Sequence, residues 1–384
     1  MNTIYLILKD DLIYYPPVLS IIYVLLEMNY KVVYIGNYTD EDRKRDFEKR
    51  GVLFIPTVKL TDDGSLFKKF MQKLAFRKQV SNYLETADIS ANDYVWLFHT
   101  ETLCLLHKTV NYYRVIFHPL EFTLPVASWK YKVLCPSLNL AESVRRASKV
   151  ICCEYNRAQI TKGMFALERM PFVLPNKMYM GGEEYAEIPR DVQNSVNPVL
   201  SKIAGKKVIL YQGVFLDKER RLEEFCEAVK NMPDDYVLVA MGKGSSYYAR
   251  LKEKYQSEKI LFIPFIRPPY HLLVTKAASI GVLSYFPDAA NIATVINPLY
   301  CAPNKIFEYA RYGIPMISND IPALHYTFME YHCGKTVSHP MTTEGIQSAI
   351  EKIYADYDTY SSGALHYYSS VNIRKIIDEI LSAE

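Results

Sequence analysis

Apolar runs alternate with amphipathic or charged stretches through the first half of the chain, from residue 3 to about residue 153. The first cycle predicts strand, helix and strand in the order TIYLILK, PPVLSIIYVLLEMN and YKVVYIGN. A charged helix then precedes a third strand, and three more apolar runs follow: DEDRKRDFEKR, GVLFIPTV, DYVWLFHT, YRVIFHPL and KVICCE. Continuous apolar strands separated by helices predict a parallel sheet that helices cover on both faces.

The same alternation restarts in the second half, after a stretch of different composition. Residues 176–206 carry paired glycines, scattered prolines and few apolar runs, which predicts a linker. Strand-like runs then recur with helical stretches between them: KVILYQG, YVLVAMGKG, ILFIPF, IGVLSY and PMISN. We therefore expect an α/β chain of two doubly wound, Rossmann-like domains, 1–175 and 207–369, with ligands in a central cleft that both domains face.

Composition narrows the class of protein. The chain of 384 residues is 49% hydrophobic and 23% charged, as in a globular enzyme, and its net charge of +3 gives no general argument for a nucleic-acid partner. Its seven cysteines show no C-x-x-C spacing, which predicts reduced thiols and a cytoplasmic location. The apolar run Val18 to Leu26 is far shorter than the roughly 20 residues of a membrane span, and the N-terminal run lacks a basic leader. We expect neither a span nor a signal peptide.

The segment KVILYQGVFLDKERRLEEF carries the first candidate chemistry. Gly213 ends its strand and lets the backbone turn closely, and Lys218, Arg220 and Arg221 are expected in or near the first turn of the next helix. Cations there oppose the helix dipole, and a bound phosphate would reverse that penalty. The alternative is surface pairing of the two arginines with the glutamates that follow them in RRLEEF.

Two glycines follow the next strand of the second half. In YVLVAMGKGSS, Gly242 and Gly244 stand between a buried strand and a helix, so a tight turn is expected. A contact of this turn with a phosphate or a base is one interpretation. A turn with no ligand is the other.

The most informative stretch is NPLYCAPNKIFEYARYGIPMISND. Pro303 and Asn304 are expected to begin a short helix that ends before Gly313. Glu308 then lies in the middle of the helix, with Lys305 one turn earlier. A carboxylate in this place can accept both hydroxyls of a ribose, and a lysine near the helix start can reach phosphate. Ordinary salt bridges along the helix are the alternative.

The segment P-N-K-I-F-E-Y-A-R-Y-G-I-P resembles the signature of the GT-B glycosyltransferases of the group 1 superfamily, which assemble bacterial capsule, exopolysaccharide and lipopolysaccharide. GVFLDKERRLEEF is similar to that family's glycine-then-arginine loop. A weaker likeness covers LAESVRRASKVICCEYNRAQI and FVLPNKM in the first half, so that the resemblance spans most of the chain. It also implies that the C-terminal helix, 370–384, packs back on the first domain.

The resemblance implies a donor site made of residues from the second half. Glu308 would hold the donor ribose, Arg220 and Lys305 would neutralise the diphosphate of the leaving group, and Gly213 would let the acceptor and the phosphate approach. Ile263 to Arg267 would lie beside the nucleobase, and Gly242 and Asn304 complete the expected set of donor-binding residues.

One position departs from the family pattern. Many members carry a second acidic residue eight positions before the ribose glutamate, and Tyr300 stands there in this chain. The contact of that acid with the donor sugar is therefore in doubt. Asn297, Asn304, Tyr300 itself or backbone amides around Leu299 to Ala302 are the candidates for replacing it.

Two histidines close apolar strands of the first half, in WLFHTE and VIFHPLE. The family often has a histidine at the end of such a strand, near the transferred sugar. His118, with Glu121, is the preferred match, and His99 is the second choice; a structural role is the alternative for each. The resemblance also implies retention of anomeric configuration, in which the leaving phosphate helps to deprotonate the acceptor and catalysis rests on positioning and electrostatics.

The segment Phe67–Lys78 predicts a basic amphipathic helix. Residues 64–84 contain no acid, and apolar side chains recur at helical spacing among the lysines. Such a helix either lies on an anionic membrane surface or packs its apolar side into the domain. The first interpretation suits a lipid-linked acceptor and peripheral attachment to the inner face of the cell membrane.

The leading hypothesis is therefore a glycosyltransferase that uses a UDP- or GDP-sugar and a saccharide or lipid-linked acceptor, without a metal or other cofactor. A nucleotide-sugar 2-epimerase of the same fold is the alternative enzyme. A non-catalytic nucleotide-binding relative is the third hypothesis. Turnover of the donor without an acceptor would indicate the epimerase, and binding without turnover would indicate the non-catalytic relative.

Overall fold

The computed structural model describes residues 2–61, 64–180 and 188–383 and divides the chain into two compact units. The first unit takes in Met1–Gly182 and Ile373–Glu384, and the second takes in Glu183–Asn372. Both are α/β units in which every strand pairing is parallel. The predicted fold class is therefore confirmed for each unit.

The described part of the first unit contains a seven-stranded sheet in the order β3-β2-β1-β4-β5-β6-β7. Its strands are β1 Thr3–Asp11, β2 Lys31–Asn37, β3 Leu53–Ile55, β4 Tyr94–Phe98, β5 Val115–His118, β6 Lys149–Cys152 and β7 Phe172–Val173. Helices cover both faces, so Ile4, Leu6 and Leu8 on alternate positions of β1 are as fully buried as Ile7 between them. This burial explains why the strand is continuously apolar.

Helices of the first unit follow the strands in sequence. They are α1 Pro16–Glu27, α2 Glu41–Lys49, α3 Leu66–Thr86, α4 Thr100–Leu105, α5 Trp129–Leu134, α6 Leu140–Arg146 and α7 Tyr155–Phe165. Short 3₁₀ helices occupy Leu12–Tyr14 and His107–Asn111. No helix in the described ranges combines the length and apolarity needed to cross a bilayer.

The described part of the second unit contains a six-stranded sheet in the order β10-β9-β8-β11-β12-β13. Its strands are β8 Lys207–Val214, β9 Tyr236–Lys243, β10 Ile260–Pro264, β11 Ile280–Leu283, β12 Met316–Asn319 and β13 Gly334–Val337. Its helices are α8 Arg190–Ile203, α9 Glu223–Lys230, α10 Ser246–Tyr255, α11 Leu272–Thr275, α12 Ile292–Leu299, α13 Asn304–Ala310, α14 Pro322–Tyr331, α15 Thr343–Ala355 and α16 Tyr357–Ser370.

Helix α8 differs from the sequence-based expectation, because its residues fall in the predicted linker 176–206. Val192, Val196, Val199 and Ile203 recur at helical spacing and are buried in the core of the second unit. Pro198 lies inside the helix, and this proline favoured the linker interpretation. Residues 181–187 of the predicted linker lie outside the described residues.

The last helix, α17 Ile373–Ser382, belongs to the first unit, although the rest of the second half lies in the other unit. Its apolar side is buried, and Arg374 lies 3.8 Å from Glu27 of α1. At its C-terminal end, the buried Lys149 Nζ of β6 donates to the backbone oxygens of Ile380 and Ala383. An ammonium group there satisfies carbonyls that a helix end leaves without a partner.

We expect Lys149→Met to loosen α17 without unfolding the sheet. Methionine keeps the apolar stem but leaves the buried carbonyls unpaired, at a penalty of about 1–3 kcal/mol. Hydrogen exchange should show faster exchange of amides in α17 and unchanged protection in β1 and β4. Lys375→Met, on the exposed side of α17, is the matched control. Equal protection of α17 in wild type and Lys149→Met would contradict this role.

Each sheet has one place where the strand order reverses. In the first unit β1 lies between β2 and β4, and in the second unit β8 lies between β9 and β11. Connections on either side of such a point run to opposite faces of the sheet, which opens a crevice at the carboxyl ends of the two strands. The two points to search for functional side chains are therefore the ends of β1 and β4, and the ends of β8 and β11.

Candidate functional site

A buried carboxylate lies at the switch point of the second unit. Glu308 is in the middle of α13 and is only 7% exposed. Gln212, near the end of β8, donates its side-chain amide to one carboxylate oxygen, and Nε2 of His271 lies 3.3 Å from the other. Burial raises the pKa of the Glu308 carboxyl, but His271, Lys305 and the Gln212 amide together outweigh burial and lower the pKa below its usual value. The site therefore holds a charged, oriented acceptor of hydrogen bonds.

The partners of Glu308 are themselves held in place. The Thr275 hydroxyl donates to Oε1 of Gln212 at 2.7 Å, which fixes the direction in which the Gln212 amide points. Sequence reasoning missed Gln212 and His271. The available signal was a polar residue at the end of an otherwise apolar strand, and a histidine next to the apolar run of α11.

Two cations lie beside the carboxylate. The Lys305 ammonium is 4.7 Å from the centre of the Tyr211 ring and 5.3 Å from that of Tyr285. The Arg220 guanidinium is 4.0 Å from the centre of the same Tyr285 ring. Burial, and then the charge of Arg220, lower the pKa of Lys305 to about 7 although Glu308 opposes the shift. An anion bound beside the two cations would offset their mutual repulsion.

The two arginines of the predicted loop differ in their surroundings. Helix α9 begins at Glu223, so Arg220 and Arg221 precede it instead of lying in its first turn. Arg221 pairs with Glu224, as the alternative interpretation expected. Arg220 is mostly buried against Tyr285 and lies 3.7 Å from Glu219. Of the two arginines, Arg220 is the one that lies over the Tyr285 ring, which Lys305 also faces.

The two candidate glycines also have different roles. Gly213 has φ +133°, and a β-carbon there would lie 3.0 Å from Lys305 Nζ, so glycine leaves the space that the ammonium occupies. Gly242 lies opposite Gly213 in the β8–β9 pairing, and its β-carbon would lie 1.8 Å from the Gly213 oxygen. Gly242 therefore allows two strands to approach and lies inside β9, not in a ligand-binding turn.

The remaining predicted donor residues lie on several elements of the second unit. Ile263 is buried in the core of the second unit. Arg267 forms an ion pair with Asp191 of α8 at 3.5 Å. Asn304 is the first residue of α13, while Asn297 and Tyr300 lie at the end of α12, just before the loop that leads to α13.

At the switch point of the first unit, charged side chains lie in the last residues of β1 and just after β4. Lys9 Nζ lies 2.8 Å from Asp10 and 2.6 Å from Glu101, and the Tyr15 hydroxyl donates to Asp10 at 3.3 Å. The His99 ring meets the Tyr15 ring edge-on, with 4.8 Å between centres, and His99 has a φ of +66°. A non-glycine residue in this conformation is strained and is often found at functional sites.

The structure does not place the preferred histidine at this point. His118 is 1% exposed, its Nε2 is 3.6 Å from Cys153 Sγ, and burial followed by the effect of His99 lowers its pKa to about 3. Leu120 has a φ of +64°, and its backbone oxygen accepts a hydrogen bond from Cys153 Sγ. Glu121 is exposed. His99, the second choice, is the histidine next to the charged cluster.

Solved structures share this fold over the whole chain. The Anabaena protein HepE in complex with UDP is 15% identical, with 100% of each chain covered and a TM-score of 0.65. WaaG, a glycosyltransferase involved in lipopolysaccharide biosynthesis, is 12% identical, with 98% of each chain covered and a TM-score of 0.64. A putative UDP-N-acetylglucosamine 2-epimerase from Listeria monocytogenes is 11% identical, with 100% of this chain and 95% of the epimerase chain covered and a TM-score of 0.60.

These identities establish the fold alone, and the GT-B fold expected from the sequence is confirmed. No protein-family model matches the chain, and no curated protein sequence matches it.

Proposed function

We propose that this protein is a glycosyltransferase that moves a sugar from a nucleoside-diphosphate sugar, a UDP-sugar in the first instance, to a saccharide or lipid-linked acceptor. The observation that carries the proposal is the arrangement of Lys305 and Arg220 around one tyrosine ring, beside the charged carboxylate of Glu308. Two cations next to a fixed carboxylate match a nucleotide, in which a diphosphate adjoins a ribose. The presence of UDP in the HepE structure supports the choice of base.

Glu308 would bind the ribose, because Gln212 and His271 hold its carboxylate and each oxygen retains capacity for a second hydrogen bond. Lys305 and Arg220 would bind the diphosphate, and Asn304, Asn297 or Tyr300 would contact the sugar. Charge builds up on the diphosphate as the bond to the sugar breaks. Cations already in position stabilise that charge without reorganisation. This stabilisation is the main source of rate acceleration in such a site.

The anomeric configuration is retained if the acceptor attacks the same face of the sugar that the diphosphate leaves. The bond between the anomeric carbon and the diphosphate oxygen breaks, the acceptor oxygen bonds to the same carbon, and the acceptor proton passes to the departing phosphate. No protein base is then required. The β1–β4 cluster of Lys9, Asp10, Tyr15, His99 and Glu101 offers carboxylates that would accept hydrogen bonds from acceptor hydroxyls, so we place the acceptor there.

A thermal-shift screen against UDP, GDP, ADP, CMP and their common sugar conjugates tests the proposal. Stabilisation by one nucleoside diphosphate, together with release of that nucleotide from its sugar conjugate when an acceptor is present, is the expected result. The anomeric configuration of the product, read by NMR, tests retention. No stabilisation by any nucleotide would overturn the donor site.

Donor binding should weaken as the pH rises. Lys305 carries its proton below a pKa of about 7 and loses it above that value, and the phosphates bind the charged form. We expect the Kd of UDP-glucose, a donor that does not itself ionise in this range, to be about ten-fold larger at pH 8 than at pH 6. Calorimetry at both pH values measures the change. Lys305→Met should bind weakly and equally at both, and a pH-independent wild type would contradict the role of Lys305.

A nucleotide-sugar 2-epimerase is the second candidate, because the putative epimerase from Listeria monocytogenes shares the fold. An epimerase converts its donor without an acceptor, whereas a glycosyltransferase releases nucleotide only slowly in that case. Incubation of UDP-N-acetylglucosamine with the protein alone, followed by sugar analysis, separates the two.

We place the protein in the cytoplasm, in surface polysaccharide synthesis, with Phe67–Lys78 in peripheral contact with the inner face of the cell membrane. Within the described ranges, no three His, Cys, Asp or Glu side chains are grouped as a metal site. Metal independence remains a prediction, and transfer activity in excess EDTA tests it.

A further inference from the structure

The aromatic ring of Tyr285 faces both cations of the proposed diphosphate site. The centre of this ring is 4.0 Å from the Arg220 guanidinium and 5.3 Å from the Lys305 ammonium. The ring of Tyr211 also faces the ammonium, at 4.7 Å. In the part of the chain that the structure describes, this ammonium forms no ion pair, so aromatic faces hold it where a carboxylate could have done so.

The backbone of Tyr285 is fixed by one side chain of the neighbouring strand. Tyr285 follows the end of β11, beyond the last residue that pairs with β12, and it is only 4% exposed. Asn319, the last residue of β12, accepts a hydrogen bond from the Tyr285 N–H at 2.9 Å and donates one to the Tyr285 oxygen at 2.6 Å. The Asn319 amide thus satisfies both polar backbone groups of Tyr285, which strand pairing does not reach.

The residues on either side of Tyr285 bind the loop that carries Arg220. The Ser284 hydroxyl donates to the backbone oxygen of the residue after Arg220 at 2.5 Å. The Phe286 N–H donates to the backbone oxygen of the residue before Arg220 at 3.0 Å. These two hydrogen bonds bracket Tyr285 on one segment and Arg220 on the other, so the backbone itself brings the guanidinium to the ring.

We propose that Tyr285 is a positioning residue for the donor diphosphate, because its uncharged ring holds Arg220 and Lys305 beside each other and leaves their charge for the phosphates. The face of an aromatic ring attracts a cation electrostatically. A carboxylate in the same place would also hold the cations, but its own charge would repel a phosphate. The inference rests on the proposed function and adds to it a residue that acts through the two cations.

A role in packing alone is the alternative for Tyr285, because its ring also belongs to the hydrophobic core of the second unit. Packing depends on the shape of the side chain, whereas positioning of the cations depends on the charge distribution of the ring. Phenylalanine keeps the negative face of the ring and loses only the hydroxyl group. Pentafluorophenylalanine has nearly the same shape, but its fluorine atoms withdraw electrons and its face no longer attracts a cation.

Calorimetry of the full chain with UDP and with uridine separates the two roles. Tyr285→Phe should bind UDP within about three-fold of the wild type. The protein with pentafluorophenylalanine in place of Tyr285 should bind UDP about ten-fold more weakly than Tyr285→Phe does. Its affinity for uridine should be almost unchanged, since the cations act on the phosphates. The melting temperatures of the two ligand-free proteins show whether the fold is kept.

Pentafluorophenylalanine in place of Phe286 is the matched control. The Phe286 ring is 4.7 Å from the guanidinium of Arg221, the arginine that pairs with Glu224, so the same chemical change there should leave UDP affinity as it is. Equal UDP affinity in the two Tyr285 variants, or loss of uridine and UDP by the same factor, would overturn the positioning role. A wild type that does not bind UDP would overturn the proposed function and this inference with it, whereas UDP binding without an effect of the ring overturns this inference alone.

Discussion

Replacement of Lys305 by methionine is expected to weaken UDP binding about 100-fold while leaving the binding of uridine nearly unchanged. If Lys305 binds the diphosphate as proposed, it makes no contact with uridine, because uridine has no phosphate. Turnover of the donor should fall further, by about 10³-fold, because the charge on the leaving group is largest in the transition state. Calorimetry with uridine and UDP, and nucleotide release from the donor sugar, measure the two effects.

Measurement of the melting temperature of ligand-free Lys305→Met tests for an indirect effect through misfolding. Burial and Arg220 lower the pKa of Lys305 in the folded protein, so folding is opposed by the charge on this lysine at neutral pH. Removal of the ammonium should therefore leave the melting temperature unchanged or raise it. Lys218→Met is the control, since that lysine is 73% exposed and lies 3.9 Å from Asp288. An equal loss of UDP and uridine binding would contradict the phosphate assignment.

The sequence predicts the centre of the donor site because its two chief groups lie on one short helix. Lys305 and Glu308 are one turn apart, and Pro303 and Gly313 bound the segment, so local rules place both side chains. The partners of Glu308 could not be predicted in this way. Gln212 is 96 residues away along the chain, and only the packing of β8 against α13 brings the two together.

The histidines show a second limit. WLFHTE and VIFHPLE look alike, since each histidine ends an apolar strand at the same edge of the sheet. The difference lies in their surroundings: His118 is 1% exposed beside Cys153, while His99 immediately precedes α4 and its ring meets that of Tyr15. The burial of His118 depends on tertiary contacts such as that with Cys153, 35 residues away along the chain, which no local pattern reports.

Helix α8 shows the opposite case, in which a local signal was present but outweighed. The valines at 192, 196 and 199 have helical spacing, yet Pro198 and the nearby glycines favour a linker. Proline at 198 is tolerated, since burial of the apolar side in the second core stabilises the helix by about 1.5–3 kcal/mol for each large side chain. Composition alone could not weigh these two effects.

Glu308→Gln is expected to remove the discrimination between UDP and its 2′,3′-dideoxy analogue. In the wild type, a carboxylate held by Gln212 and His271 would accept both ribose hydroxyls, and hydrogen bonds to a charged group contribute about 1.5–3 kcal/mol. The wild type should therefore bind UDP at least about ten-fold more tightly than the dideoxy compound. Glutamine keeps the size of the side chain but not its charge, so the variant should bind the two compounds almost equally, both at the weaker level.

The comparison of two ligands separates ribose recognition from a general effect on the site. A variant that merely disturbed Lys305 would lose affinity for both compounds by the same factor and would keep the wild-type ratio between them. Only loss of the contact with the hydroxyls reduces the ratio itself, which makes the experiment a double-mutant cycle between Glu308 and the ribose. Glu224→Gln, which removes the partner of Arg221, should keep the full ratio. A wild-type ratio retained in Glu308→Gln would show that the ribose lies elsewhere, and the buried carboxylate would then act on the diphosphate only through its charge on Lys305.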